Sequence, residues 1–499
     1  MSKKGIQRKK RGITVKSRVT PLFTALAWVN FISLILFSSF LVPHFSPAQD
    51  FGISASNHLE YSLDRKEHED IFHNWFDFNW SHGYYDLGLR YEAHLPDDWG
   101  KTYQDLSYRY FQLSPEFLDL TVGNYYLMLG RGLILRSYEN RDLRHDNNLE
   151  GVKGSVDLDG YDLTLLWGTP RANYERVNDP LFAADGKIGV LDWLALGGTY
   201  LRTDITDFGF IELYGGNFDL TFPHLDLYAE YAKKDNPPGD FIQEDGDGLY
   251  LSSNLYYAGF GLTAEYKDYD EFDFTHHDVT YNNPPSLTRE HLYTLLNRHA
   301  YVLNLDDEKG FQVEAIAAPQ DEFSLLANYS YTTDHEDDLV FSEIYAEAEY
   351  DYQDKATVKA GFSRMENKKE GGFPILLGPV LDLTYYLSDR NSLAFLIEHL
   401  STSKYDGDLT YYDQIISLSF SHSPIFSVTL TYERTTEWET RTWTGKKNWL
   451  IATLDWALGE NHNLTLSMGS RRAGKVCAGG ICTDRPALDG GEIKLLSRF

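Results

Sequence analysis

The stretch FSVTLTYE, residues 426–433, alternates without a break: Phe426, Val428, Leu430 and Tyr432 are apolar, and Ser427, Thr429, Thr431 and Glu433 are polar. Successive side chains of a strand point to opposite faces, so this pattern makes a strand with one apolar face and one wet face. The same period recurs along the chain. Leu464, Leu466 and Met468 alternate with Asn463, Thr465 and Ser467. Phe323, Leu325, Ala327, Tyr329 and Tyr331 alternate with Ser324, Asn328 and Ser330, and Ala356, Val358, Ala360 and Phe362 with Thr357 and Lys359.

The connections between such segments fall into two kinds. Short turns are expected near Gly83, Pro115, Asp159-Gly160, Asp192, Pro223, Ala258, Pro319, Gln353, Asp389, Pro424 and Gly459. Between them lie longer polar segments such as LDRKEHED, LPDDWGKTYQ, TTDHEDD, TSKYDGD and RTTEWETRTWTG. Short turns at one end and long loops at the other are the plan of a transmembrane β-barrel. Eleven turns and twelve loops make about 24 strands, within a range of roughly 18 to 24 and with an even number expected. The fold class is therefore all-β, a single large antiparallel transmembrane barrel. Closure has a physical cause: an open sheet edge in lipid leaves backbone groups unpaired. Aromatic residues near expected strand ends (Trp75, Trp80, Tyr125, Tyr126, Tyr256, Tyr257, Tyr411 and Tyr412) suit the interfacial girdles of such a barrel. A soluble sandwich or propeller is disfavoured, because the polar faces carry charges such as Asp226, Glu230, Lys359 and Arg498. No blade-length repeat is visible either.

The first 48 residues differ in character. Lys3, Lys4, Arg8, Lys9, Lys10, Arg11, Lys16 and Arg18 precede an apolar run from Leu22 to Val42, and Ser46-Pro47-Ala48 follows. That is the order of a secretory signal peptide, with an uncleaved anchor as the alternative. The expected organisation is a signal peptide over 1–48 and a barrel over 49–499. Loss of the eight basic residues takes the formal charge from −29 to −37. So acidic a chain has no electrostatic reason to bind nucleic acid. Aromatic residues make up 15% of it, which excludes an acidic disordered chain.

The chain ends in GEIKLLSRF, residues 491–499, where Ile493, Leu495 and Phe499 alternate with Glu492, Lys494 and Arg498. This resembles the terminal strand of bacterial outer-membrane barrels, whose closing Phe serves as an assembly signal read by the barrel assembly machinery. The segments GNYYLMLGRGLILRSYENRDLRHDNNLEG, REHLYTLLNRHAYVLN and SRRAGKVCAGGIC…SRF resemble signatures of an uncharacterised family of porin-like bacterial outer-membrane proteins. The resemblance spans the mature chain. It implies fold, outer-membrane lipid as surroundings and a place in the outer membrane, and it brings no substrate.

Two long segments carry the candidate chemistry, 126–148 and 270–309. The first holds Arg131, Arg136, Arg141 and Arg144. Arginines in a low-dielectric constriction guide anions, whereas arginines matched by wall carboxylates brace the wall. The second contains SLTREHLYTLLNRHA, residues 286–300, where Leu292, Leu295, Leu296 and His299 share one helical face and Ser286 or Thr288 is the expected cap. Such a helix would plug the pore or lie on the loop surface, with Arg289, Glu290, His291 and Arg298 as polar contacts.

His276-His277-Asp278 with Asp273 has no standard zinc spacing, and QEDGDG lacks the calcium-loop ligand spacing, so no metal site is expected. Cys477 and Cys482, in an exported chain, are a candidate disulfide. No nucleophile–histidine motif or carboxylate dyad stands out, so no catalytic residue or cofactor is expected. The expected function is an outer-membrane channel for small polar or charged solutes. The rivals are a structural or docking subunit and, further off, a plugged receptor-transporter or an outer-membrane enzyme.

Overall fold

The computed structural model describes residues 51–66, 69–172, 174–205, 209–236, 245–299, 301–368, 375–404, 409–438, 445–478 and 481–499. The expected signal peptide, 1–48, lies outside the described residues. From Phe51–Asp64 to Leu488–Arg498, 24 strands pair antiparallel, each with its neighbour in sequence. The first and last strands pair in turn, from Ser56↔Arg498 to Asp64↔Gly490, and this closes the barrel. Ten of the eleven expected turns fall between consecutive strands. Pro319 instead lies near the end of Asp307–Gln320, where the register with Phe323–Thr333 shifts between Ala317 and Gln320. A proline cannot donate to the ladder and is tolerated at such an irregularity.

The alternation has the expected consequence for the outer surface. Leu163, Leu165 and Trp167 point outward and are exposed, as are Leu418, Val428, Leu430 and Leu450 on the other side of the sequence. An apolar outer band of this extent is stable in lipid and would drive aggregation in water. The inner face of the turn-side half is wet and joined by cross-strand pairs: Ser155 with Thr164 (2.9 Å), Ser419 with Thr429 (2.8 Å), Lys187 with Asp219 (2.6 Å) and Lys359 with Glu349 (2.9 Å). Such pairs tie strands together, Lys187 and Asp219 across an intervening strand, while leaving polar groups toward the interior.

On the loop side the expectation of a wet inner face fails. Leu181, Ala183, Leu201, Ile211, Leu213 and Ala232 point inward and are wholly buried. They are dry because the long segments fold inward over them. The aromatic-girdle expectation is corrected for the same reason. Tyr256, Tyr257 and Tyr412 are exposed on the outside, but Trp75, Tyr125 and Tyr411 are buried.

Candidate functional site

The first long segment leaves the strand Leu118–Tyr125 and folds into two small hairpins, Leu127–Leu129 with Leu135–Ser137 and Glu139–Asn140 with His145–Asp146. Leu133, Ile134 and Leu135 at the tip are buried against the inward-facing apolar wall. The second segment, 271–306, brings Phe272, Phe274, Val279 and Tyr281 into the same cluster. Its later part crosses to a different arc. Leu295 and Tyr301 pack with Phe341, Met365, Leu376, Leu400 and Ile415, while Tyr293 and Leu296 pack with Tyr345 and Val380. Full burial of each large apolar side chain contributes roughly 1.5–3 kcal/mol, so the six buried residues Leu133, Ile134, Leu135, Phe272, Phe274 and Tyr281 hold the segments in place by about 10 kcal/mol or more before ordering costs.

The two segments also bond each other. Arg136 N–H donates to Tyr281 O (2.8 Å), Asn283 N–H to Gly132 O (3.0 Å), and Asn147 Nδ2 to Thr280 O (3.1 Å). Gly132 has φ +87°, and a Cβ there would stand 2.7 Å from Asn283 O, so both backbone conformation and space require glycine. Together the segments form one body, termed the plug for its place against the inner wall on the loop side of the barrel.

Charge divides the plug into two parts. Arg144 reaches Glu60 (2.8 Å) and Asp98 (2.7 Å), and Arg141 reaches Glu139 (2.8 Å) and Asp77 (3.2 Å). From the wall, Arg90 bonds Asp77 (2.5 Å) and Glu139 (2.9 Å), and Arg171 bonds Asp146 (2.7 Å) and Glu92 (2.8 Å). Here plug and wall neutralise each other. Burial pushes Asp98 up, but His73 and Arg144 outweigh it and hold its carboxyl at about 2.

Arg131 and Arg136 differ. Arg131 donates its backbone N–H to Glu230 (2.7 Å) and lays its guanidinium over the Tyr228 ring at 4.7 Å. Arg136 stands over Tyr138 at 4.8 Å, with Nη1 3.4 Å from Asn283 O. Among the described residues neither guanidinium makes an ion pair, and Arg131 is exposed.

In the second segment Arg289 pairs with Glu314, and Arg298 pairs with Glu433 (2.7 Å) and lies 3.8 Å from Asp413. The expected helix over 286–300 is absent: the described part is irregular to residue 291, with Leu287 in the left-handed region (φ 57°), and then bends through turns at 294–299. Leu295 and Leu296 are buried as the helical face required, but Leu292 is 93% exposed. Side chains supply the partners a helix would have provided. Leu295 N–H donates to Glu398 (2.7 Å) and His291 N–H to Asn297 Oδ1 (3.0 Å). Ser286 Oγ meets Thr288 Oγ1 (3.1 Å) rather than capping a helix. The wall partners Glu60, Glu230, Glu398 and Asp413 were missed by sequence reasoning. Glu398, the one acidic residue in the run AFLIEHL, carried the clearest available signal.

Cys477 stands directly opposite Cys482 in the hairpin of Gly474–Ala478 and Ile481–Arg485. The intervening Gly479 and Gly480 lie outside the described residues.

Residues 52–499 match the model described as "Family of unknown function (DUF6029)". The chain belongs to this DUF6029 family. No curated protein matches it. Among solved structures, a chain of the E. coli P pilus tip assembly intermediate PapC-PapD-PapK-PapG is similar with TM-score 0.52 and 11% identity, over 92% of this chain and 62% of that one. The family member thus spans less than two thirds of that chain. The P pilus usher (PapC) translocation pore matches with TM-score 0.47 and 11% identity, over 89% and 98% of the two chains. A BenF-like porin from Pseudomonas fluorescens Pf-5 gives 0.42 and 12%, over 67% and 97%. At these identities the likeness is one of fold, that of outer-membrane β-barrels.

Proposed function

We propose that this DUF6029 protein is an outer-membrane channel for small polar or charged solutes, exported by its N-terminal segment and narrowed by the plug of 126–148 and 271–306. The observation that carries the reading is the division of the interior. The turn-side half is lined by hydroxyls and charged pairs, and the loop-side half is narrowed by a plug that bears two arginines without ion-pair partners among the described residues. Arg141, Arg144, Arg289 and Arg298 brace plug against wall, while Arg131 and Arg136 are the charges left to attract an anion.

The test is reversal potential across a planar bilayer under a salt gradient. Replacing Arg131 and Arg136 with Gln should shift it toward cations, and the shift should shrink at high salt as the Debye length falls to about 3 Å at 1 M. An unchanged reversal potential in a folded variant would defeat the anion-guiding role. Silence of the wild-type protein under all conditions would favour the docking-subunit reading, to which the dry packing of the plug lends support.

A further inference from the structure

Residues 275–280 form a small hairpin in the second plug segment, Thr275–His276 pairing with Val279–Thr280. Its two turn residues, His277 (φ 48°) and Asp278 (φ 62°), both lie in the left-handed region, the signature of a tight two-residue hairpin turn. The turn sets the imidazoles of His276 and His277 side by side, ring centroids 3.9 Å apart. Both rings face Asp179, which comes from the distant loop after Arg176. His276 Nδ1 lies 2.8 Å and His277 Nδ1 3.1 Å from the same oxygen, Asp179 Oδ2. Tyr281 Oη lies 3.4 Å from that oxygen as well.

The carboxylate is only half satisfied by this arrangement. Asp179 is wholly buried, and among the described residues its other oxygen, Oδ1, has no hydrogen-bond partner. A buried carboxylate that crowds three groups on one oxygen and leaves the other bare is costly unless a cation joins it. Nitrogen and oxygen donors from all three residues lie within 4.8 Å of one another. Two imidazoles and one carboxylate form a donor set for a first-row divalent transition ion, with open positions for water.

We propose that Asp179, His276 and His277 form a binding site for a divalent transition-metal ion of the zinc class, which clips the second plug segment to the loop that carries Asp179. Two donors about 2.1 Å from one tetrahedral ion stand roughly 3.4 Å apart, a few tenths of an ångström more than the 2.8 and 3.1 Å that separate the two imidazole nitrogens from Asp179 Oδ2. Tyr281 then orients the carboxylate from outside the coordination sphere, as outer partners of metal ligands do. Sequence spacing could not reveal the site, because Asp179 lies 97 residues before His276. The neighbouring acids Asp273 and Asp278, which looked nearer in sequence, are not part of the cluster.

The experiment uses full-length protein in detergent, stripped with a chelator and titrated with zinc chloride, with bound zinc counted by elemental analysis. The expected result is one zinc per chain, with affinity reduced at least about tenfold by His277→Ala and by Asp179→Asn. Asp273→Asn and Asp278→Asn should leave the stoichiometry intact. Cobalt(II) provides a second readout, since its visible spectrum should report nitrogen and oxygen ligation and lose that signature in His277→Ala. If Asp179→Asn does not fold, as judged by migration of unheated samples, His276→Gln and His277→Gln decide the matter, because His277 is exposed. No stoichiometric zinc uptake would overturn the site. So would uptake untouched by the histidine substitutions, or uptake lost equally in the Asp273 and Asp278 variants.

Discussion

Replacing Arg144 with Gln should loosen the first plug segment without unfolding the barrel. The guanidinium bonds Glu60 at 2.8 Å, Asp98 at 2.7 Å and Arg141 O at 2.9 Å, and its own side chain is 17% exposed. Removing one member of a buried ion pair costs about 3–5 kcal/mol, mostly through the charge left behind. Two facts lower that figure here. Glu60 keeps Lys494 at 3.1 Å, and Asp98 keeps His73 at 3.4 Å. A loss of about 2–4 kcal/mol is therefore expected, which multiplies the open population of this segment by roughly 30 to 1000. Hydrogen exchange reads that population directly for amides that are bonded only when the segment is in place. Arg136 N–H bonds Tyr281 O in the other segment and Arg131 N–H bonds Glu230 on the wall, so both should exchange faster by that factor. Amides of the adjoining strand Leu149–Leu158 should keep their rates. Arg131→Gln is the contrast, since its side chain makes no ion pair among the described residues. Equal exchange in the two variants, or a loss of protection spread over the whole barrel, would refute the assignment of Arg144 as a tie between this segment and the wall.

Acid should weaken the same tie. Asp98 is held at about 2 in the fold, against about 3.9 for an unfolded carboxylate, so its stabilisation is complete above pH 4 and is lost as pH falls toward 2, which exchange of residues 139–148 would show. The loop of His335 should behave in the opposite sense. Partial burial lowers its pKa, but hydrogen bonds with Asp268 (2.9 Å) and Asp307 (2.7 Å) raise it overall, so their stabilisation is full below about pH 6.5 and is lost as pH rises past the folded value. Proton resonances of His335 followed from pH 6 to 9 would check the direction. Peptide mass mapping without reduction should find Cys477 linked to Cys482, as their opposed register allows, and two alkylated thiols would reject the link. Deleting Phe499 should lower the yield of heat-modifiable barrel in cells, and undiminished assembly would count against a terminal signal.

Strand count, turns and the apolar outer face could all be read from alternation, because each depends on neighbours close in sequence. The exception at Pro319 is a local register shift. The plug was legible only as two overlong connections. Its wall contacts join residues as far apart as Arg144 and Glu60 or Arg298 and Glu433, and no short window contains both partners. Inward Leu181, Leu201, Ile211 and Leu213 were a faint signal, since a water-filled lumen gives no reason for them. The helix expectation failed for a related reason. Spacing of leucines in 286–300 fits a helix, but wall groups such as Glu398 bond the backbone there, and the segment gains more by spreading across the interior than by coiling. The girdle reading failed at Trp75 because its ring lies beneath Arg141 and Arg144, 5.3 and 5.6 Å from their guanidinium carbons.

Whether the two segments stopper the barrel is decided most directly by single-molecule conductance in planar bilayers, comparing the wild type with Leu296→Glu. Leu296 is 2% exposed and packs against the wall at Gly378, facing the same wall as Glu398. A carboxylate there is buried among Tyr293, Tyr345 and Val380, with nothing in that cluster to neutralise it, and should drive residues 293–299 off the wall. The wild type should show a small, mostly closed conductance, and the variant large open steps of a wide barrel with unchanged heat modifiability. A wild type that already conducts as an empty barrel, or a folded variant no more open than the wild type, would contradict the plug.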